Sequence, residues 1–209
     1  MPYRLLLACC LVLIFAAPSA AGKYNKTLSI GDAAPDWADL PGVDGKRHSL
    51  ADFKDKDCLV IAFTCNTCPY AQDYEDRLID LSKKFATDGK AALIAINANR
   101  VRGDLLPDMQ ERAKERGFNY PYLHDETQEV AKSYGATYTP EFVVLDKQRR
   151  VVYLGALDDS TDPAKVKQRY VESAVAAALA GEKAEVSETP AIGCAVRYQR
   201  SRRSRPPQP

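Results

Sequence analysis

The sequence predicts one α/β domain, and three observations carry that prediction. Cys58-Leu59-Val60-Ile61-Ala62-Phe63 is a continuous β-branched and aromatic run, the pattern of a strand buried on both faces. Apolar residues then recur at Tyr70, Tyr74, Leu78, Leu81 and Phe85, and spacings of three and four mark one face of a helix ending near Gly89. Further on, Phe142-Val143-Val144-Leu145 and Val151-Val152-Tyr153-Leu154 flank a polar turn, which predicts two antiparallel strands in a hairpin. A chain of 209 residues, 45% hydrophobic and 27% charged, is enough for one ordinary core.

The remaining elements follow in order. Residues 1–21 have the make-up of a signal peptide: Arg4 supplies a positive start, residues 5–17 are apolar, and Ser19-Ala20-Ala21 offers small residues for cleavage near Ala21 or Gly22. The apolar run is shorter than the roughly 20 residues that cross a bilayer, and Pro18 ends it. Turn-rich sequence around Pro35 and Gly45 predicts a hairpin-like lead-in. A second apolar strand is expected over 91–96, a charged amphipathic helix over 107–116 closed by Gly117, a short strand over 120–123 and a short helix over 126–134 capped by Gly135. Asp162-Pro163 opens a helix expected to run to Ala180 before Gly181. The folded domain is therefore expected over 22–183, followed by an extension over 184–209 whose basic end, 200–209, is low in complexity and expected to be disordered.

Charge and cysteine usage narrow the function. With 29 Lys+Arg against 28 Asp+Glu the chain lacks a nucleic-acid-binding balance, although Arg197, Arg200, Arg202, Arg203 and Arg205 crowd its end. Export removes Cys9 and Cys10 and leaves Cys58, Cys65, Cys68 and Cys194 in an oxidising compartment. Four cysteines are too few for a disulfide scaffold in a chain of this length, so chemistry is the better reading.

Cys65 and Cys68 form a C-x-x-C pair where the buried strand hands over to the helix. The thiolate is the species that attacks a disulfide, and the free N–H groups and dipole of a first helical turn stabilise it. The spacing predicts Cys65 as an exposed nucleophile at the cap and Cys68 as the shielded resolving thiol, with Pro69 pre-setting the first turn. Asn66 and Thr67 lie between the sulfurs and could donate to the thiolate. The same spacing suits half of a zinc site, completed by Cys194 and His124 or His48. Thr139-Pro140 precedes a strand, where the backbone of Thr139 could pair with an incoming peptide. Cys58 lies roughly 23 Å of extended strand from Cys65 and reads as a buried thiol, and Cys194 is a possible third thiol.

These residues carry a resemblance. Phe63-Thr64-Cys65-Asn66-Thr67-Cys68-Pro69-Tyr70, Asp125-Glu126-Thr127-Gln128-Glu129-Val130-Ala131, Thr139-Pro140-Glu141-Phe142, Asp158-Asp159-Ser160 and Ile192-Gly193-Cys194 resemble the peroxiredoxin-like proteins of the AhpC/TSA, or redoxin, group. The resemblance implies a thioredoxin-like fold with a central mixed β-sheet flanked by α-helices, the C-x-x-C as active site, and Pro140 as a cis-proline. Two positions depart from the group: Thr67 stands where histidine is usual, and Tyr138 where relatives often carry another cysteine. True peroxiredoxins use Pro-x-x-x-Thr-x-x-Cys, and aligning Cys68 with that cysteine puts Cys65 at the threonine and Ile61 at the proline. The peroxide-positioning groups are missing.

The expectation is a periplasmic or secreted thiol-disulfide oxidoreductase. It would need no cofactor beyond its own Cys65–Cys68 pair. Its partners would be protein thiols and disulfides and a reducing protein, without nucleic acid or a stable membrane span. A thiol-dependent peroxidase and a metal-binding chaperone using the same cysteines are the alternatives.

Overall fold

The structure is a computed structural model that describes residues 22–199; the expected signal peptide and basic end, 1–21 and 200–209, lie outside the described residues. A lead-in pairs β1 (Leu40–Pro41) antiparallel with β2 (Arg47–His48). Then follow β3 (Cys58–Phe63), α1 (Pro69–Asp88), β4 (Ala91–Asn97), α2 (Leu106–Arg116), β5 (Tyr122–His124) and α3 (Glu129–Ser133). The chain continues through β6 (Tyr138–Thr139), β7 (Glu141–Leu145), β8 (Val151–Gly155) and α4 (Tyr170–Ala180) to β9 (Cys194–Ala195).

Five strands form the central mixed sheet in the order β5-β4-β3-β7-β8. β3, β4 and β5 run parallel, while β7 is antiparallel to both β3 and β8. Successive side chains of a strand point to opposite faces, and β3 divides its residues accordingly. Leu59, Ile61 and Phe63 face a layer containing Trp37, Val130 and Tyr134, whereas Cys58, Val60 and Ala62 face Tyr74, Leu78 and Phe85 of α1 and Val171 and Ala174 of α4. Glu75 on α1 holds α2 in place, accepting two 2.9 Å bonds from Arg112 and one from Arg116.

Three boundaries differ from expectation. The helix expected over 162–180 is split into a 3-10 turn, Pro163–Lys165, and α4 starting at Tyr170. The Asp159 carboxylate accepts from the backbone N–H groups of Lys167 and Gln168 at 2.9 and 3.1 Å, which holds the chain out of helix there. α3 is short at its start because Gln128 is left-handed (φ 65°) and Asp125 takes the Ala131 N–H at 2.9 Å. The packed fold also continues past 183: Leu154 N donates to Ser187 O and Thr189 N to Leu154 O, both at 3.0 Å, and the chain stays bonded to the body as far as Gln199.

Leu78 is 1% exposed between α1 and the sheet. Leu78→Ala is expected to lower unfolding free energy in urea by about 2–5 kcal/mol through lost burial and a residual cavity. The exposed Asp80→Ala should change it by less than about 0.5 kcal/mol.

Candidate active site

The site forms where β3 runs out. Thr64 N donates to Ile96 O at 2.9 Å, the last rung to β4, and the next four residues turn the chain into α1. Cys68, not Cys65, is the N-cap of that helix: it is extended (φ −84°, ψ 116°) and Pro69 is the first helical residue. The expectation of an exposed Cys65 is corrected as well, since Cys65 is 3% and Cys68 2% exposed. The turn of residues 65–67 is tied by hydrogen bonds to Gly103, Asp104 and Tyr122.

The surroundings of Cys68 favour its ionised form. The thiols of Cys65 and Cys194, the Thr139 hydroxyl and the Ala71 N–H of the first helical turn donate towards its sulfur. These hold the Cys68 thiol well below its ordinary value. Burial and the Thr139 carbonyl, 2.9 Å from Cys68 Sγ, oppose them by favouring the protonated form; the four donors, one of them from the helix N-terminus, outweigh both. Cys65 is pushed above the ordinary thiol range by its hydrogen bond to Cys68, then by burial and the Asp104 charge.

Asn66 and Thr67 do not reach the sulfurs with the bonds expected of them. Asn66 Nδ2 donates to Gly103 O at 2.9 Å and its Oδ1 accepts from Tyr122 OH at 2.9 Å. Thr67 gives both its N–H and its hydroxyl to Asp104, at 2.9 and 2.8 Å. Both residues therefore shape the turn rather than solvate the thiolate. Asp104, fully buried and also accepting from Asn99 Nδ2 at 3.0 Å, organises this side of the site. Its place just beyond the carboxyl end of β4 is a usable signal, because sites in open α/β sheets gather at the carboxyl ends of parallel strands.

Thr139 closes the other side. The Thr139–Pro140 peptide is cis, as the resemblance implies. Thr139 Oγ1 lies 3.5 Å from Cys65 Sγ. The backbone of Thr139, expected to be open to a peptide, is paired: β9 runs antiparallel to β6 with Cys194 opposite Thr139. Cys194 packs against Cys65, Cys68 and Ala71.

The histidines of the zinc reading are elsewhere. His48 Nε2 bonds to Asp44 at 3.1 Å and His124 lies buried at the end of β5. Among the described residues no group of three or more His, Cys, Asp or Glu is placed to hold a metal ion. Cys58 is fully buried, and burial pushes its thiol up to about 12, which leaves it inert.

A family model described as the AhpC/TSA family matches residues 30–154. The chain belongs to the AhpC/TSA family. Membership makes it an oxidoreductase of the redoxin kind. It is similar to the crystal structure of a hypothetical protein from Sinorhizobium meliloti 1021, at 33% identity and a TM-score of 0.77, covering 85% of this chain and 98% of that one. An uncharacterized conserved protein from Geobacillus kaustophilus gives 34% identity and the same TM-score over 85% and 96%. A putative thiol:disulfide interchange protein DsbE from Chlorobium tepidum shares the fold at 22% identity and a TM-score of 0.59, over 73% and 99%. A comparison with curated proteins gives no match.

With the Cys68 thiol held well below its ordinary value, the fully reduced protein should keep one thiolate's ultraviolet absorbance at pH 6, well below the free-thiol pKa of about 8.5. Cys68→Ser should remove that absorbance, while Cys58→Ser should leave it. Asp104→Ala should destabilise the fold by about 1–3 kcal/mol for each buried donor left unpaired, measured by denaturant unfolding.

Proposed function

We propose that this redoxin is a thiol-disulfide oxidoreductase of an oxidising compartment, exchanging electrons with protein thiols and disulfides through Cys65 and Cys68. The observation that carries the reading is the placement of two thiols in one buried pocket, one of them at a helix N-cap and hydrogen-bonded to the other. Within the pair Cys68 is the nucleophile, because its surroundings favour the thiolate. Cys65 is the thiol that closes the disulfide. This order reverses the one the motif alone suggests.

In the direction of substrate reduction, the Cys68 sulfur becomes disulfide-bonded and one substrate thiol is released. Cys65, losing its proton, then attacks Cys68 Sγ; the Cys65–Cys68 bond forms and the second thiol leaves. One substrate disulfide becomes two thiols while the protein's two thiols become one disulfide. A dithiol suits this better than peroxide reduction, since Cys65 stands where a peroxidase would need a threonine hydroxyl. Export rests on the signal-like make-up of residues 1–21, and the mature chain would then act where disulfides persist.

The test uses the chain without residues 1–21. Titration with oxidised glutathione should close Cys65–Cys68, and the reduced protein should reduce insulin disulfides faster than it consumes peroxide. Cys65→Ser and Cys68→Ser should each bring insulin reduction to background. Unaltered activity in both variants would overturn the reading; peroxide turnover exceeding insulin reduction would replace it with the peroxidase.

A further inference from the structure

A dithiol that works on other molecules has to be reached by them, and here neither sulfur is. Cys65 and Cys68 are 3% and 2% exposed, whereas Cys194, in contact with them, is partly open to solvent. The strand that carries Cys194 occupies the backbone of Thr139, the position from which an outside peptide would approach.

We propose that Cys194 is the third redox thiol of this site, the sulfur through which the buried pair exchanges disulfides with external thiols. The proposal rests on the dithiol reading above and supplies the route that burial denies it.

The placement of Cys194 is built into the fold. Gly193 crosses Thr139 so closely that a Cβ there would lie 2.1 Å from Thr139 O, inside any real contact. Beyond it, Val196 N donates to Thr137 O at 2.9 Å, Arg197 N to Asn99 Oδ1 at 2.8 Å, and Tyr198 OH to Ala136 O. Gln128 bonds on both sides of Tyr198, to Arg197 O and from Gln199 N. The segment is thus fastened on either side of the cysteine's contact with Cys68, and a nucleophile held this way reacts as an intramolecular one.

The steps balance without an added oxidant. Starting from the Cys65–Cys68 disulfide, the Cys194 thiolate attacks Cys68 Sγ; the Cys68–Cys194 bond forms, the Cys65–Cys68 bond breaks, and Cys65 leaves with the proton that Cys194 gave up. An external thiolate, from a partner protein or a small thiol, next attacks the accessible Cys194 Sγ and expels Cys68 as the thiolate that the helix N-terminus favours. A low-pKa leaving thiol leaves faster. A second external thiol releases Cys194, departing with the first as a disulfide. Two external thiols are oxidised and the buried pair is reduced; the reverse sequence reduces an external disulfide.

Charge also times the exchange. While Cys68 is an anion, the hydrogen bond to it pushes the Cys194 thiol up to about 11 and keeps it quiet. Once Cys68 is tied in a disulfide that anion is gone, and Cys194 can ionise in the range of an ordinary thiol.

The experiment again uses the chain without residues 1–21. Mild oxidation of Cys65→Ser with diamide, acid quenching and mass-spectrometric mapping should yield a Cys68–Cys194 disulfide. Oxidised wild type and Cys194→Ser are then reduced by glutathione, and the variant should be slower by at least about tenfold, while still closing its Cys65–Cys68 bond. Gly193→Ala, which keeps all three thiols but forces β9 off Thr139, should be slowed as well. Failure of wild type to close Cys65–Cys68 would overturn the dithiol reading and this inference with it. A wild type that closes that bond, beside a Cys194→Ser protein reduced at the same rate or a Cys65→Ser protein that makes no Cys68–Cys194 bond, would overturn this inference alone.

Discussion

Every residue of β3 from Cys58 to Phe63 is buried, so this strand must have hydrogen-bonded neighbours on both edges and apolar layers on both faces. β4 and β7 supply the edges; α1 and α4 cover one face, and α3 with the lead-in covers the other. A strand enclosed in this way can offer chemistry only at an end. Its carboxyl end, Phe63, is paired to Ile96 of β4 and Glu141 of β7, and the turn into α1 that follows carries Cys65 and Cys68. The position of the site is a consequence of that enclosure.

The same enclosure sets the electrostatics. Water is excluded, so the anion on Cys68 is held by the donors that surround it and by the first turn of α1 rather than by solvent. Desolvation acts against each thiolate; it decides Cys58, while Cys65 is raised first by its hydrogen bond to Cys68 and then by burial. Cys68 has four donors, two of them sulfur. The reactivity of one cysteine is therefore a property of two others, one near in sequence and one 126 residues away.

Much of this was legible in the residues. The apolar run at Cys58, the three-and-four spacing after Pro69 and the Leu145/Val151 hairpin are local patterns, and the strands and first helix they mark are present with nearly the same bounds. The C-x-x-C pair was equally plain. What escaped were facts set by distant partners. Asp159 breaks a helix whose own residues favour one, and Asp125 shortens another. The cap position slipped from Cys65 to Cys68 because Asp104, which pins Thr67, stands 37 residues beyond it. Periodicity cannot report that a short strand near the end returns to Thr139, and so the burial of both sulfurs was hidden.

Glu141 carries one more consequence. Its carboxylate accepts from the N–H groups of Thr137 and Tyr138, at 2.7 and 3.0 Å, at the start of β6. A two-residue strand bordering a reactive site would otherwise present open donors to any extended segment that drifted near, an invitation to edge-to-edge association. With β9 paired to β6 and a carboxylate holding the Thr137 and Tyr138 N–H groups, these donors are not open to a foreign strand. The protein can keep a reactive sulfur beside a sheet margin without inviting foreign strands to polymerise on it.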